Sequence, residues 1–364
     1  MKKQIIFFVL CISILSSCIN ISSDRDWPTF RGDVAYSGHY KGAGLSKLKM
    51  LKWEFETESN IYTAPVIENG IIFLRSNDNL LTIDLQTGEA KQKISTNYII
   101  KTNPAVIEGV VFFGGDNNYL YAVDVETGLE KWKFKSDYEI ATSPNVSHNV
   151  VLFGCMDNCM YAVDKNTGKE LWSYAAKGAL NASPAVSNGV VFFGSADHYF
   201  YALDVKTGHE RWSFKTQGAI QSSPAVADGN VYFGSWDSFL YAVDTMSGLE
   251  KWKFKTNEII LSSPAVANGA VYIGSVDSYL YSIDSKTGTE RWKLKAEGGI
   301  QSSPIIAGNS VFFGSYDCNL YEVDVNTGEI NWKFKVDDSI VADPAFSSGI
   351  LLFGSYDNYL YAIE

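Results

Sequence analysis

From Ile61 onward, apolar and polar positions recur with a single long period. In the copy Gln221–Thr256 four short runs have strand character: AIQSSPAVA (beginning at Ala219), NVYFGS, FLYAVD and EKWKFKT, with turn signals between them. The two middle runs are apolar on both faces, as strands sandwiched between neighbouring sheets are. The last run alternates, with Trp252 and Phe254 to one side and Lys251, Lys253 and Lys255 to the other. That is a half-exposed strand, and lysines on an outermost strand oppose edge-to-edge pairing.

The period is explicit. Prolines of an SP-like motif stand at Pro65, Pro104, Pro144, Pro184, Pro224, Pro264, Pro304 and Pro344, with a step of 40 residues except for 39 between the first two. The aspartates closing the YAVD-like run keep step at Asp84, Asp124, Asp164, Asp204, Asp244, Asp284 and Asp324, with Glu364 in the eighth place. Eight copies of one supersecondary unit define a repeat array, and each unit buries its apolar faces only against its neighbours.

The turns carry their own chemistry. Between second and third strands comes an Asx position: Asn77 or Asp78, Asn117, Asp157, Asp197, Asp237, Asp277, Asp317 and Asp357. A short acceptor there bonds backbone N–H groups across the turn. Between third and fourth strands comes D-x-x-[TS]-G, as in Asp244–Gly248, whose glycine supplies a positive φ. These aspartates therefore read as turn formers and not as a metal array. A tryptophan follows at constant interval (Trp132, Trp172, Trp212, Trp252, Trp292, Trp332), with Gln92 in its place in the first copy. Burying each one against the next sheet contributes about 2–3 kcal/mol.

The eighth copy stops after its third strand, YLYAIE. The missing pattern lies at the other end: LKWEFET, residues 51–57, has the WKFK alternation, and Trp53 precedes Pro65 by 12 residues as Trp132 precedes Pro144. The expected fold is all-β: an eight-bladed β-propeller of four-stranded blades over residues 50–364, with the N-terminal strand completing the last blade.

Ahead of the repeats, Lys2 and Lys3, an apolar run Ile5–Leu15 and then Ser16, Ser17 and Cys18 have the form of a processing signal, residues 1–17. Residues 18–49 show no sustained apolar period and read as a tether, within which Trp27 and Phe30 are expected to pack onto the body. The formal net charge of −11 argues against a nucleic-acid groove. Four scattered histidines, His39, His148, His198 and His209, form no metal-ligand spacing.

Candidate sites lie where copies disagree. Three residues before the prolines stand Tyr62, Lys101, Ala141, Asn181, Gln221, Leu261, Gln301 and Val341, and just before two of them Asn103 and Asp343 replace the usual Ser. If this register faces the axis, it forms a polar ring with one cation and one acid. Trp236 stands out on a hairpin tip as a contact residue for a partner. Cys155 and Cys159 flank the turn Met156–Asn158, and either a disulfide or two reduced thiols suits that position.

Three resemblances add to this. LSSC, residues 15–18, resembles a bacterial lipobox, which implies cleavage before Cys18 and lipid on its sulfur. Ile19, where an Asp would retain a Gram-negative lipoprotein at the inner membrane, implies the outer membrane; in a Gram-positive cell the anchor would be the outer face of the cytoplasmic membrane. The motif A-x-D-x-x-T-G-x-x-x-W, as in Ala122–Trp132 and Ala202–Trp212, resembles the repeat of PQQ-type propellers over residues 51–364. Quinoprotein dehydrogenases of that superfamily bind PQQ and calcium at the channel mouth, using inserted loops that these near-uniform repeats lack. A lipobox followed by an eight-bladed ring is also similar to the BamB-type lipoprotein of the outer-membrane β-barrel assembly machinery. The expectation is a monomeric, non-catalytic, cofactor-free scaffold, with a small-ligand or glycan-binding propeller as the alternative and a PQQ enzyme behind both.

Overall fold

The structure is a computed structural model that describes residues 29–42, 44–45 and 50–364. Cys18, Ile19 and Trp27 lie outside the described residues. Eight sheets form, and seven blades run from an innermost strand outward in sequence order, while the eighth takes its outermost strand from Leu51–Glu56. Blade 5 has Ala225–Ala227, Asn230–Gly234, Phe239–Asp244 and Glu250–Lys255. Its middle strands are buried beyond their ends, while the outer strand alternates, burying Trp252 and exposing the lysines.

The innermost strands are shorter than the pattern suggests. Each has three residues, as in Ala225–Ala227, and the stretch before the proline is not strand. The N–H groups there are engaged elsewhere: Ser223 N donates to Oγ of Ser263 in the next blade at 3.1 Å.

Neighbouring blades meet through the turn and the tryptophan together. Asp244 Oδ1 accepts from the backbone N–H groups of Met246 and Ser247 at 3.1 and 2.9 Å, and Gly248 follows at φ 71°. The resulting turn is the seat for Trp212 of the preceding blade, whose Nε1 donates to Thr245 O at 3.0 Å. A Cβ on Gly248 would stand 2.7 Å from that indole. In blade 2 the seat at Gly128 faces the Gln92 amide instead. The turn carboxylates are well stabilised. Arg211 bonds Asp204 at 2.7 Å and, with the amide and hydroxyl of Thr207, holds it down to about 2.

The Asx hairpins tie three elements. Asp237 accepts from Phe239 N (3.1 Å), Tyr241 OH (2.8 Å) and Gln217 N of the preceding link (2.9 Å). In blade 2 Asn117 instead donates to Tyr121 OH at 2.8 Å, and blade 1 departs further. Its Ser76 pairs directly with Asn79, so Asn77 and Asp78 form a tight two-residue hairpin with Asn77 at φ 55°. The 39-residue first step is this lost residue.

The ring closes as the strand pattern predicts. Leu51–Glu56 pairs antiparallel with Tyr359–Ile363, and Met50 and Glu364 exchange two backbone hydrogen bonds of 3.0 and 3.1 Å. Trp53 then reaches blade 1, donating to Leu85 O at 3.1 Å.

One expectation needs correcting. Over its described residues the supposed tether is part of the body. The carbonyls of Val34, Ala35, Ser37 and Gly38 accept from the N–H groups of Val186, Val226, Val266 and Ile306, one in each of blades 4 to 7. His39–Tyr40 then adds a parallel fifth strand to blade 7. The physical reason is that an innermost strand presents unpaired N–H groups toward the axis, and a buried donor must find an acceptor. Phe30 is buried with this segment, as expected. Of the two states open to Cys155 and Cys159, the structure has both thiols free. The Cys155 thiol turns to the carbonyls of Tyr138 and Glu139, at 3.1 and 3.3 Å, and burial pushes it up to about 12.

Because Trp53 is the clasp's contact with blade 1, Trp53→Ala should cost about 3–5 kcal/mol by urea unfolding. Lys52→Ala, which removes only a surface ion pair with Glu364, should cost under about 1 kcal/mol. Equal small losses would show that the clasp does not hold the ring.

Candidate functional site at the funnel mouth

In each blade the strand order puts the links into the innermost strands and the hairpins between second and third strands at the same end. That face carries an axial funnel of about 330 Å³. Tyr62, Lys101, Ala141, Asn181, Gln221, Leu261, Gln301 and Val341 all line it, as do Asn103 and Asp343. The register singled out from the prolines does face the axis. Trp236 does not line the funnel; it stands on the same face, on the hairpin of blade 5, 43% exposed.

Below the rim, the residues just before the prolines form a circular hydrogen-bond chain. The N–H of Asn103 donates to Oγ of Ser143, and the pattern repeats through Ser183, Ser223, Ser263 and Ser303 at 2.9–3.2 Å. It ends where Ser303 N donates to Asp343 Oδ1 at 2.7 Å. Each serine satisfies a neighbour's amide, so the consensus Ser is structural. Blade 1 has Ala64 in that register, with no acceptor to offer, and the chain of bonds opens there.

Phe30 forms part of the funnel floor, and beside it lies Arg31, 2% exposed. Its Nη2 donates to the carbonyls of Pro264 (2.7 Å) and Pro304 (3.1 Å), and its Nη1 lies 3.9 Å from the Asp343 carboxylate. Burial pulls the guanidinium down to about 10, against the opposing pull of Asp343. Burial also pushes Asp343 up, opposed by Arg31 and the Ser303 amide. The acid expected to face a ligand is thus committed to a buried ion pair.

The rim is aromatic and cationic in one sector. The Arg75 guanidinium lies 3.7 Å from the centroid of the Tyr62 ring and donates to Thr63 Oγ1 at 3.1 Å and to the Ile100 carbonyl. Tyr316 OH bonds the Gln301 side chain. Lys101 stands 3.8 Å from Glu139, both half-exposed. Arg31, Arg75 and Tyr316 were not singled out from sequence. Arg75 had a signal available: it occupies the register of Gly114, Gly154 and Gly234, where an added Cβ would crowd the following isoleucine or leucine.

The fold and this axial funnel define the class: an eight-bladed β-propeller. The family described as "Beta-alanine-activating enzyme, beta-propeller" matches residues 122–310, over half of the chain, and the chain belongs to that propeller family. Its structure is similar to BamB from Moraxella catarrhalis (18% identity, TM-score 0.75, covering 87% of this chain and 100% of that one). It is also similar to the quinohemoprotein alcohol dehydrogenase from Comamonas testosteroni (14% identity, TM-score 0.82, covering 93% and 80%). The computationally designed Ika8 protein is a third (18% identity, TM-score 0.76, covering 84% and 98%). At these identities the likeness is one of fold. No curated protein matches the chain.

Breaking the buried pair from either side leaves an uncompensated charge. Arg31→Met and Asp343→Ala should each cost about 3–5 kcal/mol in chemical denaturation. The double variant should cost less than their sum by at least about 1 kcal/mol. Simple additivity would mean that the two side chains act independently.

Proposed function

We propose that this protein is a non-catalytic scaffold that docks another protein through its funnel face while a lipid on Cys18 holds it at a membrane. The observation that carries this reading is the distribution of exposed aromatics. Among the described residues, Tyr62, Tyr138, Trp236 and Tyr316 are the exposed Tyr, Trp and Phe side chains in the large-hydrophobic class, and all four lie on that face. Tyrosine and tryptophan anchor protein interfaces out of proportion to their number. The fold-level likeness to BamB supports the same class of role. With the lipobox resemblance it favours a periplasmic or surface location at the outer membrane and a partner in β-barrel assembly.

The donor set of the funnel weighs against a quinone centre. Calcium takes about six to eight oxygen ligands, usually with several carboxylates among them. The lining brings one, Asp343, which Ser303 and Arg31 already engage. These residues do not fit a calcium–PQQ group. A second reading, capture of a small polar ligand or glycan, is favoured by the amides of Asn181, Gln221 and Gln301 beside Tyr62 in the funnel.

Affinity purification from detergent-solubilised membranes, comparing wild type with Trp236→Ala/Tyr316→Ala, tests the docking reading. Enrichment of a β-barrel assembly component with wild type and its loss with the double variant is expected. Equal recovery with both proteins, or none of that machinery, would sink the assignment. For the anchor, Cys18→Ser should move the protein from the membrane to the soluble fraction. Retention of that variant in membranes as processed protein would overturn lipidation.

A further inference from the structure

The seam between blades 8 and 1 lacks something that most other seams share. In those, an outer-strand ring packs on a tyrosine from the third strand of the next blade. Phe134 meets Tyr161 with centroids 5.3 Å apart, Phe214 meets Tyr241 at 5.5 Å, and Phe334 meets Tyr361 at 5.8 Å. The tyrosine hydroxyl then donates to the hairpin aspartate, as Tyr241 does to Asp237 at 2.8 Å. At the clasp seam Phe55 supplies the first ring, but the tyrosine register holds Leu81. It pairs with Leu74 as Tyr161 pairs with Phe153 and Tyr241 with Phe233. The tight hairpin of blade 1 also omits the aspartate that would receive a hydroxyl.

A cavity of about 290 Å³ opens there, lined by Phe55, Leu81, Ser76, Asn79, Glu58 and Lys93 among others. It lies between outer strands, away from the funnel. Two groups around it suit a phenol. In other blades the lysine opposite the tyrosine lies over its ring, Lys253 at 6.0 Å from the Tyr241 centroid and Lys333 at 4.6 Å from Tyr321. In blade 1 that lysine is kept as Lys93, opposite Leu81, although the ring is gone. At the polar end, Glu58 bonds Lys93 at 2.8 Å and the Asn79 amide at 3.4 Å, and it is exposed enough to accept a further hydrogen bond.

We propose that this seam cavity binds a phenol ring. The ring stands against Phe55 in the place of the missing tyrosine, under Lys93, with its hydroxyl donating to Glu58. The chemistry is that of a free small phenol or of a tyrosine side chain presented by another protein. It is independent of the funnel and of the docking reading above.

The test uses the whole protein, isotope-labelled, with p-cresol and N-acetyltyrosinamide as probes and backbone amide shifts as the readout. Saturable shifts centred on Phe55, Leu81 and Lys93 are expected. Leu81→Tyr restores the ring found in other blades; it should keep or raise the melting temperature and abolish those shifts. Lys93→Met, at a half-exposed position, should weaken binding by about ten-fold. Binding of p-cresol without N-acetyltyrosinamide supports the site with small phenols as its ligands, and binding of both supports a tyrosine side chain. No shifts at this seam with either probe would overturn the proposal. So would shifts that persist unchanged in Leu81→Tyr or, if that variant does not fold, in Lys93→Met.

Discussion

The ring depends on one repeated contact, a tryptophan of one blade lying on the glycine turn of the next. Glycine is needed there for two separate reasons. The turn demands a positive φ, 68–75° at Gly128, Gly168, Gly208, Gly248, Gly288 and Gly328, and at most of these positions the indole lies closer than any Cβ allows. The Asp of the same turn fixes the carbonyl that the indole N–H reaches. So D-x-x-T-G-x-x-x-W is not the motif of one interface: its first half seats the preceding blade's tryptophan, and its last residue goes into the following blade's seat. No blade satisfies both halves alone, which is why the array closes and why the strand carrying Trp53 returns to complete it.

Closing the ring creates a second problem on the axis, where innermost strands expose amide groups with nothing beside them. Two devices answer it. The chain of serine and aspartate side chains serves the amides before the prolines, and the carbonyls of residues 34–38 serve those after them in four blades. Arg31 extends the second device by bonding two proline carbonyls, and Asp343 offsets its charge. The axial acid is therefore part of the scaffold, and the chemistry left open to solvent moves outward to the rim, to Tyr62, Lys101, Gln221 and Gln301.

These two layers differ in how far sequence discloses them. Blade count, strand order, turn chemistry, the clasp and the axial register were legible because each follows from one unit repeated around the ring, and a period cannot be mistaken for noise. The axial segment was not, because residues 29–40 occur once and bond mainly through backbone carbonyls, which leave no side-chain pattern. Arg31 illustrates the limit: its partners lie 233 and 273 residues away and are carbonyls of prolines. The state of Cys155 and Cys159 was left open for a different reason. Spacing places two backbones side by side, but the direction each side chain takes depends on the link beneath it, here the carbonyls of Tyr138 and Glu139.

A uniform ring has no preferred sector, so individuality has to come from copies that break the rule. The breaks are concentrated in blade 1, which has Ala64 for the bonding serine, Arg75 for the glycine, Leu81 for the tyrosine, Gln92 for the tryptophan, and one hairpin residue fewer. Each of these removes a contact that the other seams use, and a blade built only for stability would keep it. What replaces those contacts is open space and charge: a cation stacked on an exposed tyrosine at the funnel rim, and at the outer seam a cavity beside Phe55 and a lysine paired with Glu58 but with no ring beneath it. Blade 1 also borders the strand that closes the ring, so ligands bound in its seam would bridge the first blade and the clasp. Occupancy of that seam and integrity of the ring are then coupled, since anything that fills the missing ring's place supplies the packing which the sequence withholds.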